Sequence, residues 1–303
     1  MLHLSAEQIE AFVAVAREGS FSQAAKVLGK NRTTINQHIS NLEIDLDIKV
    51  FERQGRTAVL TLAGKQLITP AKQVIYHLNY MQNCAESLAR KEELQLTICH
   101  DGVLPASLLA SVDKWIQDAF PLTEVNWLYR KREDIFNDLR DGRCDVGLAL
   151  SLGRSLPADG IDFFNLGGLP FEVYAHHACE LVELQPCSVN LFAQHRLVML
   201  ESYFKTPVAT AAELSAKRLV VNNNEEMLAM LTSGGWAVVP SMVVDHSPLK
   251  QQLISLKVDY REVIAQTDYV IFSNKLKTAG PVLSEVVEAI KAQFQGYVNP
   301  NKW

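Results

Sequence analysis

The sequence predicts a small helical head, one long helix and a larger α/β body, on three observations. Residues 4–46 carry apolar positions at helical spacing, interrupted at Gly19-Ser20 and at Gly29. Residues 62–91 hold an apolar repeat of seven. From residue 94 onward, short β-prone runs alternate with amphipathic helices, the rhythm of a parallel sheet covered on both faces.

In the head, Ile9, Phe12, Val13 and Ala16 place a first helix over residues 4–18. SFSQAAKVLG gives a second short helix ended by Gly29. Asn31 is a good N-cap for a third, in which Ile35, Ile39 and Leu42 form one apolar stripe. At about 100° per residue, Thr33, Gln37 and Ser40 point the other way, with Asn36 beside them. Solvated helix faces usually carry Glu and Lys, and this one is neutral. IKVFERQGRTAVLTLAG then reads as two short strands around a glycine turn, a wing.

A helix, a tight turn and a second helix make a helix-turn-helix, whose second helix lies in the DNA major groove. Asn and Gln bond adenine edges bidentately there, and Thr bonds polar edges or touches a thymine methyl. Lys30 and Arg32 at the helix start, with Arg53 and Arg56 in the wing, supply cations for phosphate. The candidate DNA-contacting set is Ser22, Lys30, Asn31, Arg32, Thr33, Thr34, Asn36, Gln37, Ser40, Arg53, Arg56 and Thr57. Any one of these polar residues alone reads equally as a solvated side chain; the cluster favours DNA.

In the long helix Leu67, Val74, Met81 and Leu88 recur at one heptad position. Ala71, Leu78 and Ala85 lie four residues after the first three. Such a seam predicts a homodimer, the alternative being a helix packed on its own domain.

In the body LQLTIC, TEVNWLYR and CDVGLAL read as strands, separated by the helices LPASLLASVDKWIQDAF and REDIFNDLRDG. Residues 162–176 add strand-like runs. RLVVN, EEMLAMLTSG and WAVVPS form another strand–helix–strand unit, DYVIF a late strand and PVLSEVVEAIKAQF a terminal helix. No Gly-x-Gly-x-x-Gly and no Walker sequence supports a nucleotide cofactor. The expected domains are residues 1–61, 62–91 and 92–303. The last would divide into lobe I, residues 92–160 and 268–303, and lobe II, residues 161–267, with crossings near 151–163 and 261–268.

The 303 residues carry a net charge of −5, so a uniformly basic coat is excluded while a local basic patch is not. Residues 1–90 hold 10 Lys and Arg against 8 Asp and Glu, the right sign for a segment facing phosphates. No apolar run approaches the roughly 18–20 residues of a membrane span. MLHLSAEQIEAF lacks the pattern of a signal peptide, so a cytoplasmic protein is expected. The five cysteines, at 84, 99, 144, 179 and 187, are expected to be free thiols in a reducing compartment.

Gly19-Ser20-Phe21, Ala24-Ala25, Leu28, Ile35, Ile39, Leu42-Glu43, Phe51-Glu52-Arg53, Leu60-Thr61 and Ala63-Gly64 stand in one register. With them, residues 2–65 resemble the winged helix-turn-helix of LysR-type transcriptional regulators. DVGLAL, and SGGWAVVP with Gly235 and Pro240, are similar to segments of that family's effector domain. The resemblance implies α/β class with an N-terminal all-α winged helix-turn-helix and a two-lobed effector domain like periplasmic binding proteins. It also implies DNA as partner, dimers paired through the linker helix into a tetramer, contact with RNA polymerase, and a small effector between the lobes. Carried onto this sequence, the effector lining is His100, Asp101, Gly102, Trp127, Tyr129, Ser151, Glu201, Ser202 and Asn222. The chain departs from the family at Asn31-Arg32-Thr33-Thr34, where Ser-Gln-Pro-Ala is usual, and at Cys99-His100-Asp101-Gly102, where a small or hydroxyl residue follows the first strand.

Several readings stay open. His100 and Asp101 either face the ligand or cap the next helix, and Trp127 and Tyr129 either stack on it or pack within the strand. Cys179 and Cys187 invite a redox sensor, although peroxide-sensing relatives place their cysteine near what is here Leu200 to Ser202, where none stands. His176 and His177 beside Cys179 invite a metal, but their spacing fits no familiar site. Two α/β lobes also suit an enzyme or a solute-binding protein. No Gly-x-Ser-x-Gly or His-Glu-x-x-His supports catalysis, and the head argues against solute binding. No catalytic residue, metal or cofactor is expected. A DNA-binding architectural protein with a ligand-free body is the remaining alternative.

Overall fold

The computed structural model describes residues 4–54, 57–152, 160–259, 267–275 and 279–298, without the side chains of 53, 54 and 210–213. It divides into two compact units, Met1–Ala89 and Arg90–Trp303.

The first unit is the predicted helical head with its wing and long helix. Helix α1 (Ala6–Glu18) starts in a capping box, where Ser5 and Gln8 satisfy each other's backbone N–H groups. It ends at Gly19, whose left-handed φ of +63° a side chain would resist. Ser20 caps α2 (Phe21–Val27), and Asn31 caps α3 (Arg32–Leu46) through Thr34 N–H. Ala11, Phe12, Val15, Ala24, Ala25, Ile35, Ile39, Leu42 and Val50 make the core. The rings of Phe12 and Phe21 meet Phe51 edge-on, at 5.5 and 5.9 Å. The wing pairs β1 (Phe51–Gln54) with β2 (Thr57–Leu60), antiparallel from Phe51↔Leu60 to Gln54↔Thr57.

Helix α4 (Leu62–Ala89) follows, with Pro70 inside it. Thr61 Oγ1 accepts Gly64 N–H at 3.0 Å and donates to Lys49 O at 2.7 Å. Gly64 is required here, because a Cβ would stand 2.2 Å from Val50 O. Leu67, Ile68 and Ala71 pack against the head's core. For Leu67 and Ala71 this is the packing on their own domain that heptad reading held as its alternative. Val74, Met81, Ala85 and Leu88 are exposed and Leu78 is half-buried.

The second unit holds two five-stranded sheets. The first runs β4 (Glu124–Tyr129), β3 (Gln95–His100), β5 (Val146–Leu150), β12 (Thr267–Asn274), β6 (Ile161–Leu169). Strand β3 is parallel to β4 and β5, whereas β12 is antiparallel to β5 and β6. The second sheet runs β11 (Leu253–Ser255), β7 (Phe171–His176), β10 (Trp236–Pro240), β8 (Leu197–Leu200), β9 (Arg218–Val221). Buried residues from Leu96 and Leu148 to Trp236 and Phe294 form one continuous core.

The structure corrects one lobe boundary. Residues 161–169 were expected to open lobe II, but β6 belongs to the first sheet, paired with β12 from Thr267↔Leu169 to Asn274↔Ile161. The chain therefore changes lobe at Pro170, between β6 and β7. The pairing joins segments about a hundred residues apart, so no local pattern reports it. Among the described residues no helix is long and apolar enough to cross a membrane.

Candidate functional sites

The head presents one polar helix face. Arg32, Thr33, Gln37 and Ser40 on α3 are exposed, and Asn36 and Thr34 are half-buried. Asn31 Oδ1 accepts both Thr34 N–H and Thr34 Oγ1–H at 2.9 Å, which fixes the helix start. Gln37 Nε2 donates to Asn41 Oδ1 at 2.8 Å, so its amide is oriented before any contact with a base edge. Ser22 and Thr57 are exposed, and Lys30 lies 4.0 Å from Glu10. The side chain of Arg53 and all of Arg56 lie outside the described residues. A buried carboxylate positions this face. Glu43 Oε1 accepts Val50 N–H at 3.0 Å and Phe51 N–H at 3.3 Å, and Oε2 meets Lys49 Nζ at 2.6 Å. Asn41 and the positional role of Glu43 went unread in the sequence. Asn41 lies four residues after Gln37, the spacing at which helical side chains meet.

In the second unit a cavity of about 260 Å³ opens between the lobes. Lobe I lines it with Tyr129, Lys131, Arg132, Glu133, Phe136 and Leu152, and lobe II with Glu201, Ser202, Phe204 and Lys205. Tyr129 ends β4, Lys131 to Phe136 lead into α6 (Arg132–Arg140), and Leu152 follows β5; Glu201 to Lys205 follow β8, beginning in a short 3₁₀ turn. Of the residues named from the sequence, Tyr129, Glu201 and Ser202 come together here. Two ion pairs cross between the lobes in opposite senses: Lys131 Nζ to Glu201 Oε1 at 2.7 Å, and Lys205 Nζ to Glu133 Oε1. The Arg132 guanidinium sits 4.9 Å from the ring centres of both Phe136 and Phe272 and donates to Leu150 O.

His100, Asp101, Gly102 and Asn222 do not line this cavity; Gly102 instead lies against Asn222 and the Tyr129 ring. Gly102 has φ +78°, and a Cβ there would stand 2.8 Å from Asn222 O. Asn224 Nδ2, from lobe II, donates to Gly102 O at 3.0 Å and Val103 O at 2.9 Å in lobe I. Asp101 is buried. Its Oδ1 accepts Tyr269 O–H at 2.6 Å and Val103 N–H at 3.2 Å, and its Oδ2 accepts Leu150 N–H at 2.8 Å. Burial raises its pKa to about 6 against the pull of these bonds. Burial also lowers the pKa of His100, whose Nδ1 accepts Gly102 N–H at 3.3 Å. These two residues therefore brace the turn after β3; neither caps the next helix, whose N-cap Pro105 makes no side-chain capping bond.

Trp127 is a packed strand residue: its indole N–H donates to Asp113 Oδ1 at 2.9 Å on α5 (Ala106–Ala119). Ser151 N–H donates to Asp268 O at 2.7 Å, one residue before Leu152. Lys131, Arg132, Glu133 and Lys205 were not found in the sequence. The signal available was position, directly after strand ends. Cys179 and Cys187 are free thiols, and burial raises the Cys187 pKa, which opposes thiolate reactivity. His176 and His177 stack at 4.3 Å, and among the described residues no group of three or more His, Cys, Asp or Glu could hold a metal.

Comparison with known proteins gives two family matches. Residues 6–65 match the family described as bacterial regulatory helix-turn-helix protein, lysR family. Residues 89–295 match the LysR substrate binding domain. Curated relatives include the HTH-type transcriptional regulator AceR of Acinetobacter baumannii, 27% identical, covering 85% of this chain and 86% of that protein. The multiple virulence factor regulator MvfR of Pseudomonas aeruginosa is 25% identical, covering 78% and 71%. Among solved structures, a cysteine mutant of OxyR from Corynebacterium glutamicum aligns with TM-score 0.58 at 18% identity, covering 98% and 95%. Full-length CbnR complexed with its target DNA aligns with TM-score 0.50 at 18% identity, covering 96% and 100%.

Proposed function

The chain belongs to the LysR family of DNA-binding transcriptional regulators with an effector-binding domain, and from that premise we propose how this member works. The α3 face of Thr33, Asn36, Gln37 and Ser40 reads base edges. Lys30, Arg32 and the wing arginines hold phosphate and fix register. The observation that carries this reading is the exposed neutral face whose Gln37 amide is held at 2.8 Å by Asn41.

Two heads pair through the exposed α4 positions Val74, Met81, Ala85 and Leu88, which leave an apolar strip in water. Dimers join into tetramers, each dimer occupying a pseudo-palindromic half-site. An effector enters the cavity bordered by Tyr129, Glu201 and Ser202, alters the closure of the lobes, and so changes DNA bending and polymerase contact. The fold of CbnR, solved with its target DNA, supports DNA as the partner.

Footprinting of the purified protein on fragmented DNA from its own source, at near-physiological salt, tests the reading. Discrete sites with a two-fold pattern are expected. Diffuse, salt-sensitive binding alone would mean that the α3 face does not read bases.

A further inference from the structure

A second cavity of about 260 Å³ shares no residue with the effector cavity. It lies where the start of α5 meets the helix Asn224–Leu231 and the residues around His246. We propose that residues 299–303 of the same chain occupy it. The Trp303 indole fills the cavity and Lys302 lies beside Glu225, so that this segment straps one lobe to the other.

The path of the chain leads there. The helix Pro281–Val298 packs on α5 in lobe I. Near its end the Tyr297 ring stacks on His246 of lobe II, with centroids 4.3 Å apart, and His246 is itself part of the cavity wall. Five residues, Asn299, Pro300, Asn301, Lys302 and Trp303, follow Val298. Extended, they span up to about 17 Å, enough to pass His246 and turn inwards.

The cavity asks for a donor on an apolar body. Asn224 Nδ2 donates to Gly102 O, Val103 O and Leu104 O at 3.0, 2.9 and 3.4 Å, and three carbonyls fix the sense of the amide. Its Oδ1 is left buried without a partner among the described residues, and so is Ser107 Oγ. A buried acceptor left unmatched is costly, so a donor placed there gains more than one in water. Pro105, Leu228, Val243 and Leu249 give the cavity apolar walls. Among the five residues only Trp303 joins a large apolar surface to a donor, and its indole N–H donates without accepting. Water would match Oδ1 but leave those walls wet.

Charge agrees in sign. Glu225 lines the cavity and is exposed, and Lys302 is the one charged side chain of the segment. An exposed pair of this kind sets the approach of the chain more than its affinity.

The test is acrylamide quenching of tryptophan emission in the full-length protein, with Trp303→Phe subtracted to isolate Trp303. Trp303 should be quenched several-fold less than in the urea-unfolded chain. Ala106→Tyr, which fills the cavity from an exposed lining position, should raise its quenching towards the unfolded value. Glu225→Lys should raise it by less, and Lys302→Glu added to that variant should reverse the rise, which a mere loss of folding would not do. Quenching of Trp303 as free as in the unfolded chain overturns the proposal. Protection that survives Ala106→Tyr also overturns it, because the indole would then be buried elsewhere. So does Glu225→Lys without effect, or with an effect that Lys302→Glu leaves in place. Protection that fades on dilution would assign the cavity to a second copy of the chain and overturn the strap within one.

Discussion

Glu43 on α3 accepts the backbone N–H of Val50 at 3.0 Å, which ties the end of α3 to the start of the wing. The carboxylate is buried, so the bond is shielded from competing water. Replacing it with alanine strands the N–H groups of Val50 and Phe51. Glu43→Ala should destabilise the head by about 1–3 kcal/mol, while Glu43→Gln, which keeps one acceptor oxygen, should lose clearly less. Denaturant unfolding of the two variants measures this; equal losses would mean that the charge and not the acceptor holds the wing.

Base reading has a sharper signature than loss of affinity. Gln37→Ala and Thr33→Ala should each cost about 1–3 kcal/mol at particular base pairs, with little change on random DNA. Because Gln37 is oriented by Asn41, Asn41→Ala should relax preference at the base that Gln37 reads. Arg53→Ala should weaken all DNA and flatten the salt slope. Binding to a library of single-base operator variants distinguishes the classes; equal weakening of specific and random DNA by Gln37→Ala would remove that residue from the readers.

The long helix separates core from interface along its own length. Leu67 packs in the head's core, so Leu67→Ala should lower its stability by about 1–3 kcal/mol, less than a fully buried leucine. Met81 is 65% exposed and Leu88 59%. Met81→Glu combined with Leu88→Glu should leave the melting of the head unchanged and shift the protein towards monomer in sedimentation. A dimer that survives both charges would place the contact elsewhere.

The helices and most strands were legible because periodicity is local: Ile35, Ile39 and Leu42 announce a buried face wherever they occur. The readings that failed depend on partners distant in sequence. Strand β6 joins the first sheet because of β12, and nothing within Ile161–Leu169 encodes that neighbour. The charges at the cavity are a similar case. Lys131 and Glu201 stand 70 residues apart, and each alone resembles an ordinary solvated side chain. Trp127 was carried into the lining by the resemblance, yet Asp113 takes its indole N–H. His100 and Asp101 were named as effector lining or as a helix cap, but Gly102 presses their loop against Asn222, and the open volume lies one strand away, at Tyr129.

Asp101 gives the effector domain an unusual pH response. Burial raises its pKa from 3.8 to about 6, so between those values the folded protein holds a proton that the unfolded chain releases. Its contribution is therefore most favourable below pH 4 and declines as the pH rises through about 6, by a few kcal/mol at most. Carboxylates held by ion pairs act in the opposite sense. Glu133, whose pKa Lys205 lowers, loses its contribution as the pH falls. Total stability therefore does not isolate Asp101, but the difference from Asp101→Asn does. Asparagine has no carboxyl to titrate, so wild type minus variant should slope downwards with rising pH between about 4 and 6 and flatten above. Denaturant unfolding at several pH values supplies that difference. A flat or rising curve would mean that Asp101 stays ionised across the range, held so by the Arg132 charge and the three hydrogen bonds it accepts.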